Sequence, residues 1–219
     1  VEKRVLWRYR NLEAYPRLFS RFKLRFDPMF VEFPGLLGDA AQVSTILDVG
    51  TGYGVPAAWL LERYPEARSW GIEPDADRAR VAAMALKDRA VVRTGRAPSV
   101  PAPPVPADLA LLLDMVHYLD DAALKETLKT IYSRLRPGGL LLVRAAVPPE
   151  RRWAFLWILE KIRLRLQGVP GHYRNEARIF STIEASGFRI DRRQPSGDEN
   201  GKLVWWKARA AGIQSKDKT

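Results

Sequence analysis

Hydrophobic positions follow two different rhythms along this chain, and the change comes at about Ser44. Before it, in "VEKRVLWRYRNLEAYPRLFSRFKLRFDPMF", apolar residues recur every three or four places between basic ones, the spacing of an amphipathic helix. Lys3, Arg4, Arg8, Arg10, Arg17, Arg21, Lys23 and Arg25 interleave with Val5, Leu6, Trp7, Tyr9, Leu12, Tyr15, Leu18, Phe19, Phe22, Leu24 and Phe26. Pro16 is expected to break or kink the run, because proline lacks an N–H and its ring collides with the preceding turn. Two uses of the segment are open: packing on the domain with solvated basic faces, or lying against lipid headgroups.

After Ser44, short apolar runs alternate with helical ones. "TILDVG", "RSWGIEP", "AVVRTG", "ADLALLLD" and "LLLVRAAV" read as strands, and "ADLALLLD" has the unbroken hydrophobicity of a parallel strand covered on both faces. "VPAAWLLERY" reads as a helix with Pro56 in its first turn. "DADRARVAAMALKD" is a helix opened by Asp75, and "DDAALKETLKTIYSRLR" one stopped by "PGG". The proline-rich "APSVPAPPVP" is a loop. Such alternation predicts an α/β fold with a doubly wound parallel sheet. Past the fifth strand, "PERRWAFLWILEKIRLRLQG" reads as a helix that is apolar yet carries Arg151, Arg152, Lys161, Arg163 and Arg165. "NEARIFSTIEASGF" is another helix, ended by Gly187. "RIDRRQ" and "KLVWWKARA" are then separated only by the turn-rich "PSGDENG", so these two strands should be antiparallel.

Charge narrows the partners. Against 25 acidic residues stand 36 basic ones, a net +11 that favours anionic partners such as phosphates, nucleic acid or an acidic membrane surface. No cysteine is present, which excludes disulfides and thiol catalysis, and the two histidines, His117 and His172, make a protein-built metal site a poor expectation. No apolar run reaches the roughly 18 residues of a membrane span. No signal peptide is evident. A first residue of Val1 rather than Met fits a piece of a longer polypeptide.

Chemistry concentrates in "ILDVGTGYG", where Gly50, Gly52 and Gly54 follow a strand. At a strand-to-helix turn, glycine lets the backbone bend tightly and lets a ligand approach it. The spacing departs from the G-x-G-x-x-G of dinucleotide-binding turns, because Val55 stands where the last glycine would fall. A phosphate-binding P-loop also fails, since no Gly-Lys-Ser/Thr follows. What stands is hydrophobic–Asp48–hydrophobic–Gly-x-Gly-x-Gly with Glu73 at the end of the second strand, an acid placed to accept the two hydroxyls of a ribose.

From about Ser44 to Ala210 the chain resembles the class I S-adenosylmethionine-dependent methyltransferases, and its tail resembles their small-molecule subgroup. "LDVGTGYG" looks like the family's first motif, "GIEPD" its second, "DLALLLDMVHYLDD" its fourth, and "LRPGGLLLV" its helix-to-fifth-strand junction. The resemblance implies a Rossmann-like, mostly parallel seven-stranded sheet with a reversed last strand. It also implies S-adenosylmethionine as cofactor and S-adenosylhomocysteine as product, without a metal. Asp48, Gly50, Thr51, Gly52, Tyr53, Gly54, Glu73 and Pro74 would contact the cofactor, and Asp48 could also orient the glycine loop through backbone N–H groups. "TGRAPSVP" implicates Arg96 and Ala97 at the adenine, although the family often has an acid where Arg96 stands. Asp114 and Met115 would line the methionine end; Asp114 could equally cap the following turn. "HYRNEARIFSTIEASGF" resembles the subgroup in which a Tyr-Arg pair, here Tyr173 and Arg174, precedes the penultimate helix.

Methyl transfer is an in-line displacement that the protein mainly aligns, and a general base is needed only for a weakly acidic acceptor. His117, after the fourth strand, is the first candidate, against a structural hydrogen bond at a helix end. His172 and Tyr173 come second. The expected organisation is residues 1–43 as basic helices, capping the domain or facing a membrane, and 44–219 as a methyltransferase domain. A lid helix at about 150–168, with apolar Trp153, Phe155, Leu156, Leu159 and Ile162, should roof the pocket together with the N-terminal helices. The expected acceptor is a small or lipid-like molecule. The alternatives are an RNA methyltransferase, favoured by charge but lacking an Asn-Pro-Pro-Tyr-like motif where "DMVH" stands, and a non-catalytic cofactor-binding domain of a larger membrane-associated protein. The expected location is cytoplasmic, or at a membrane surface as part of a longer polypeptide.

Overall fold

A computed structural model describes residues 1–38, 42–148, 171–197 and 203–211. The expected helix from Arg151 to Gln167 lies outside the described residues, as do the basic residues assigned to it. Seven strands form one sheet: β1 (Thr45–Val49), β2 (Arg68–Glu73), β3 (Ala90–Thr94), β4 (Ala107–Leu113), β5 (Leu135–Ala146), β6 (Phe188–Ser196) and β7 (Leu203–Ala210). Their order across the sheet is β3-β2-β1-β4-β5-β7-β6. The first five run parallel, while β7 is antiparallel to both β5 and β6. The reversed strand is thus last in sequence but sits inside the sheet.

Three helices precede the sheet: α1 (Glu2–Tyr9), α2 (Ala14–Phe26) and α3 (Met29–Leu37). Pro16 does not break a helix as expected. It occupies the first turn of α2, where a missing N–H costs nothing, and the interruption falls at residues 10–13. Within the sheet's crossovers lie α4 (Val55–Arg63), α5 (Ala76–Leu86) and α6 (Asp121–Arg134), and α7 (Glu176–Glu184) precedes β6. Asp75 caps α5 by accepting from the Arg78 N–H at 3.0 Å, and Asp120 caps α6 by accepting from Ala123 at 2.8 Å. The "PGG" does not stop α6: the helix already ends at Arg134, and Leu135 pairs with Ala107 of β4 before a register shift carries the strand past Gly139.

The sheet separates two cores. On one side Ile46, Leu109, Leu111, Leu140, Leu142 and Trp205 pack against α4 and against Val5, Tyr9, Leu24, Phe30 and Phe33 of the first three helices. On the other, Leu47, Val49, Ala110, Leu112, Leu141, Val143 and Trp206 pack against α6 and α7. The alternation along each strand produces this division, since successive side chains point to opposite faces. The N-terminal helices therefore share a core with the sheet. Arg4 and Arg8 of α1 both bond Glu62 of α4, each at 2.7 Å. No helix among the described residues is long and apolar enough to cross a membrane.

Candidate functional site

A cavity of about 880 Å³ opens at the carboxyl ends of β1, β2 and β4, where β1 separates the two directions of winding. In open α/β sheets this crevice is where ligands bind. Gly50, Gly52, Glu73, Pro74, Arg96, Ala97, Asp114 and Met115 line it, together with His172. So do Val49, Ile72, Asp75, Arg78, Gly95, Leu113, Tyr118, Leu119, Asp120 and Ala123.

Gly52 has φ +57°, and a Cβ built there would meet nothing within 4 Å, so a side chain would enter the cavity. Gly50 is left-handed as well, and a Cβ there would lie 3.1 Å from Met115 Cγ. The Glu73 carboxylate, buried at the end of β2, accepts from Gly52 N–H at 2.8 Å and Asp75 N–H at 3.2 Å. It holds the turn and the start of the next loop in place while lining the same cavity.

Four residues expected at the cofactor lie beneath or behind the turn instead. Asp48 is buried and does not line the cavity; its Oδ2 has no hydrogen-bond partner. Burial pushes its carboxyl up to about 7, with the Glu73 charge adding to the effect. Thr51 turns its hydroxyl back to the Asp48 carbonyl at 3.1 Å. Tyr53 faces outward: its carbonyl accepts from the buried Tyr9 hydroxyl at 2.8 Å, and its ring meets Phe19 at 5.0 Å and Tyr15 at 5.9 Å. Gly54 starts α4 with φ +81° and packs on Ala82.

At the other end, Asp114 caps no helix. It adopts φ +57°, uncommon for a residue with a side chain, and its carboxylate holds Arg144 of β5. Arg144 is 1% exposed and also binds both oxygens of Asp27, at 2.6 and 2.8 Å. Burial alone would raise the Asp27 carboxyl, but hydrogen bonds from Arg144 and the charges of Arg144 and Lys23 outweigh it and hold it well below the ordinary range. Lys23 bonds Asp27 at 2.7 Å and stands 3.6 Å from Asp114. Thus α2 runs from Tyr53 to Asp114, flanking the cavity without lining it.

The three candidates for proton transfer come together. His117 lies in a single 3₁₀ turn, Val116–Tyr118, and its carbonyl accepts from His172 N–H at 2.7 Å. The Tyr173 ring stacks on the His117 ring at 5.2 Å with 4° between planes. Arg174 binds the turn from below, donating to Val116, Leu119 and His172 carbonyls at 3.2, 2.7 and 2.8 Å and to Asp121 at 2.6 Å. Tyr118 and His172 line the cavity; His117 does not, and its ring lies between those of Tyr118, at 4.0 Å, and Tyr173.

A family model described as a methyltransferase domain matches residues 46–139. An uncharacterized methyltransferase of Geobacillus thermodenitrificans (strain NG80-2) is 30% identical over 155 residues, covering 70% of this chain and 71% of that one. The chain belongs to the S-adenosylmethionine-dependent methyltransferase family. The mitomycin biosynthesis 6-O-methyltransferase of Streptomyces lavendulae is 29% identical over 170 residues, 76% of this chain and 48% of that protein. The chain thus spans about half the length of that relative. Among solved structures, the mitomycin 7-O-methyltransferase MmcR superposes with a TM-score of 0.66 at 26% identity, over 94% of this chain and 60% of that one.

Sequence reasoning about the methyltransferase passed over Arg144, Asp27, Asp75, Arg78, Tyr118 and Asp120. A signal for Arg144 did exist: it is the one charged residue within "LLLVRAAV", a strand otherwise apolar enough to be buried. A buried arginine requires a carboxylate partner. Nothing local points to Asp27.

Proposed function

We propose that this domain transfers a methyl group from S-adenosylmethionine to a small or lipid-like acceptor. The observation that carries the reading is one cavity reaching from Gly50, Gly52 and Glu73 to Met115, Tyr118 and His172. The open approach over Gly52 and the paired oxygens of Glu73 suit a ribose-bearing ligand, with Asp75 and Arg78 beside them. When bound, the cofactor supplies a methyl group on a sulfonium and its own leaving group. Gly50 and Gly52 bring the backbone close to the ligand. Arg96 and Ala97 line the adenine side, and Asp114 and Met115 the methionine side. His172, which lines the cavity, is assigned as the group that takes a proton from an O–H acceptor, with His117, stacked on Tyr173 in the Arg174-bound turn, behind it.

Calorimetry with S-adenosylhomocysteine tests the cofactor site. The wild-type chain should bind, and Gly52→Val should not, because its side chain enters the cavity in a left-handed backbone conformation. Normal binding by Gly52→Val, or tighter binding of NAD, overturns the assignment. Transfer of labelled methyl to a panel of phenols, carboxylic acids and amphiphiles tests the acceptor class; labelling of RNA alone would replace it. His172→Ala should lower transfer by roughly 10²–10⁴-fold with cofactor affinity kept.

A further inference from the structure

Helix α2 has three faces, and one of them is buried in the fold. Pro16, Ser20 and Leu24 are buried against the domain. A second face carries Tyr15, Leu18, Phe22 and Phe26, which are 64%, 51%, 57% and 69% exposed. The rings of Phe22 and Phe26 stack at 5.8 Å, so the stripe is a continuous apolar surface and not scattered side chains. The third face carries Arg17, Arg21 and Arg25, all exposed, and none has an ion-pair partner among the described residues. The helix contains no acidic residue. Arg25 stands 5.6 Å from the Phe26 ring, farther than Arg10 from the exposed Trp7 of α1, which it covers at 3.3 Å.

We propose that α2 docks the domain on an anionic lipid surface, its rings entering the headgroup boundary and its arginines reaching lipid phosphates. An aromatic stripe beside a basic stripe on one surface helix is the arrangement that lies in a bilayer interface. Long arginine side chains can follow the rings inward while their charged ends stay among headgroups. Charge also decides between occupants. A second copy placed symmetrically on this face would set Arg17, Arg21 and Arg25 against their own counterparts, whereas an anionic bilayer complements them. The stripe starts where Tyr15 and Phe19 touch Tyr53, so the docking face adjoins the outer side of the glycine turn.

The test is sedimentation of the whole chain with vesicles of phosphatidylcholine alone or with added phosphatidylglycerol, at low and high salt. Binding should require the anionic lipid and weaken with salt. Replacing Arg17, Arg21 and Arg25 by Gln should lower partitioning on the order of a hundredfold. Phe22→Ser with Phe26→Ser should abolish it, while leaving the melting temperature and S-adenosylhomocysteine binding of that variant unchanged. Equal binding to both vesicle types, or none, overturns the proposal. So does a dimer that Phe22→Ser and Phe26→Ser split, or binding of single-stranded RNA through these residues without vesicle binding.

Discussion

The two ends of the cavity are built by different means. At the β1–β2 end the walls are backbone: left-handed Gly50 and Gly52, with the Glu73 carboxylate holding Gly52 N–H. At the β4–β5 end they depend on buried charge: Arg144 between Asp114 and Asp27. The first end is assembled from residues 48 to 75. The second joins Arg144 to a residue 117 positions away. A local turn can be specified by a few glycines and one acid. The distant network ties α2 to the sheet, so the shape of that end depends on the N-terminal helices being in place.

Substitutions can separate the two constructions. Arg144→Met should have the largest effect, about 3–5 kcal/mol in urea unfolding, because it removes the buried cation between two half-buried carboxylates, Asp27 and Asp114, and leaves them only Lys23. It should also remove an acid dependence. Asp27 is held below its unfolded value, so the stability it contributes is present above the ordinary carboxylate range and is lost as pH falls through the lowered value. The variant should lack that loss; an unchanged acid limb would show that the pair does not couple α2 to the sheet.

Asp48 gives the opposite sign at the glycine end. Its carboxyl rises from 3.8 to about 7, so its contribution is fully present below about 3.8 and is lost as pH rises through about 7. The change is on the order of 4 kcal/mol. Asp48→Asn should flatten the stability profile over that window, as followed by chemical unfolding at several pH values. If the profile keeps its slope, the burial of Asp48 is not what sets it.

Glu73→Gln should cost about 1–3 kcal/mol of S-adenosylhomocysteine affinity in calorimetry and a comparable amount in unfolding, because the amide offers one oxygen where Gly52 N–H and Asp75 N–H each bond a carboxylate oxygen. Arg4→Ala should have the smallest effect, within about 1 kcal/mol in thermal unfolding, because Arg4 is exposed and its pair with Glu62 is solvent-screened. A larger loss there would mean that surface pairs, and not Arg144, anchor the first helices.

How much could be read from the residues follows the same division. The strand–helix alternation, the cap Asp75, and the triplet Gly50, Gly52 and Gly54 with Glu73 are short-range patterns, and each lies where its local chemistry puts it. The roles of Asp48, Thr51, Tyr53 and Gly54 were harder, because adjacent residues on a tight turn face opposite sides. Knowing that the turn meets a ligand does not tell which of its side chains point inward. Helix α3 escaped notice because Pro34 and Gly35 interrupt its pattern, yet Phe30, Phe33, Leu36 and Leu37 bury one face against the sheet. The partners of Arg144 could not be read, since only the folded topology brings α2 beside β5. The lone arginine in an apolar strand signalled a need without naming what meets it.

The interior position of β7 sets an order of assembly. Its residues pair along one edge with β5 and along the other with β6, so β6 joins the sheet only through a strand that follows it in the chain. As the chain is synthesised, five parallel strands emerge first, and β6 must wait for its neighbour before it has an edge to occupy. Contacts between β5 and β7 span many intervening residues, which makes their closure slow compared with the local βα units. Trp205 and Trp206, adjacent in β7, are both fully buried and lie in opposite cores. The arrival of this one strand therefore seals both sides of the sheet at once, and a single pair of neighbouring indoles reports it from each side.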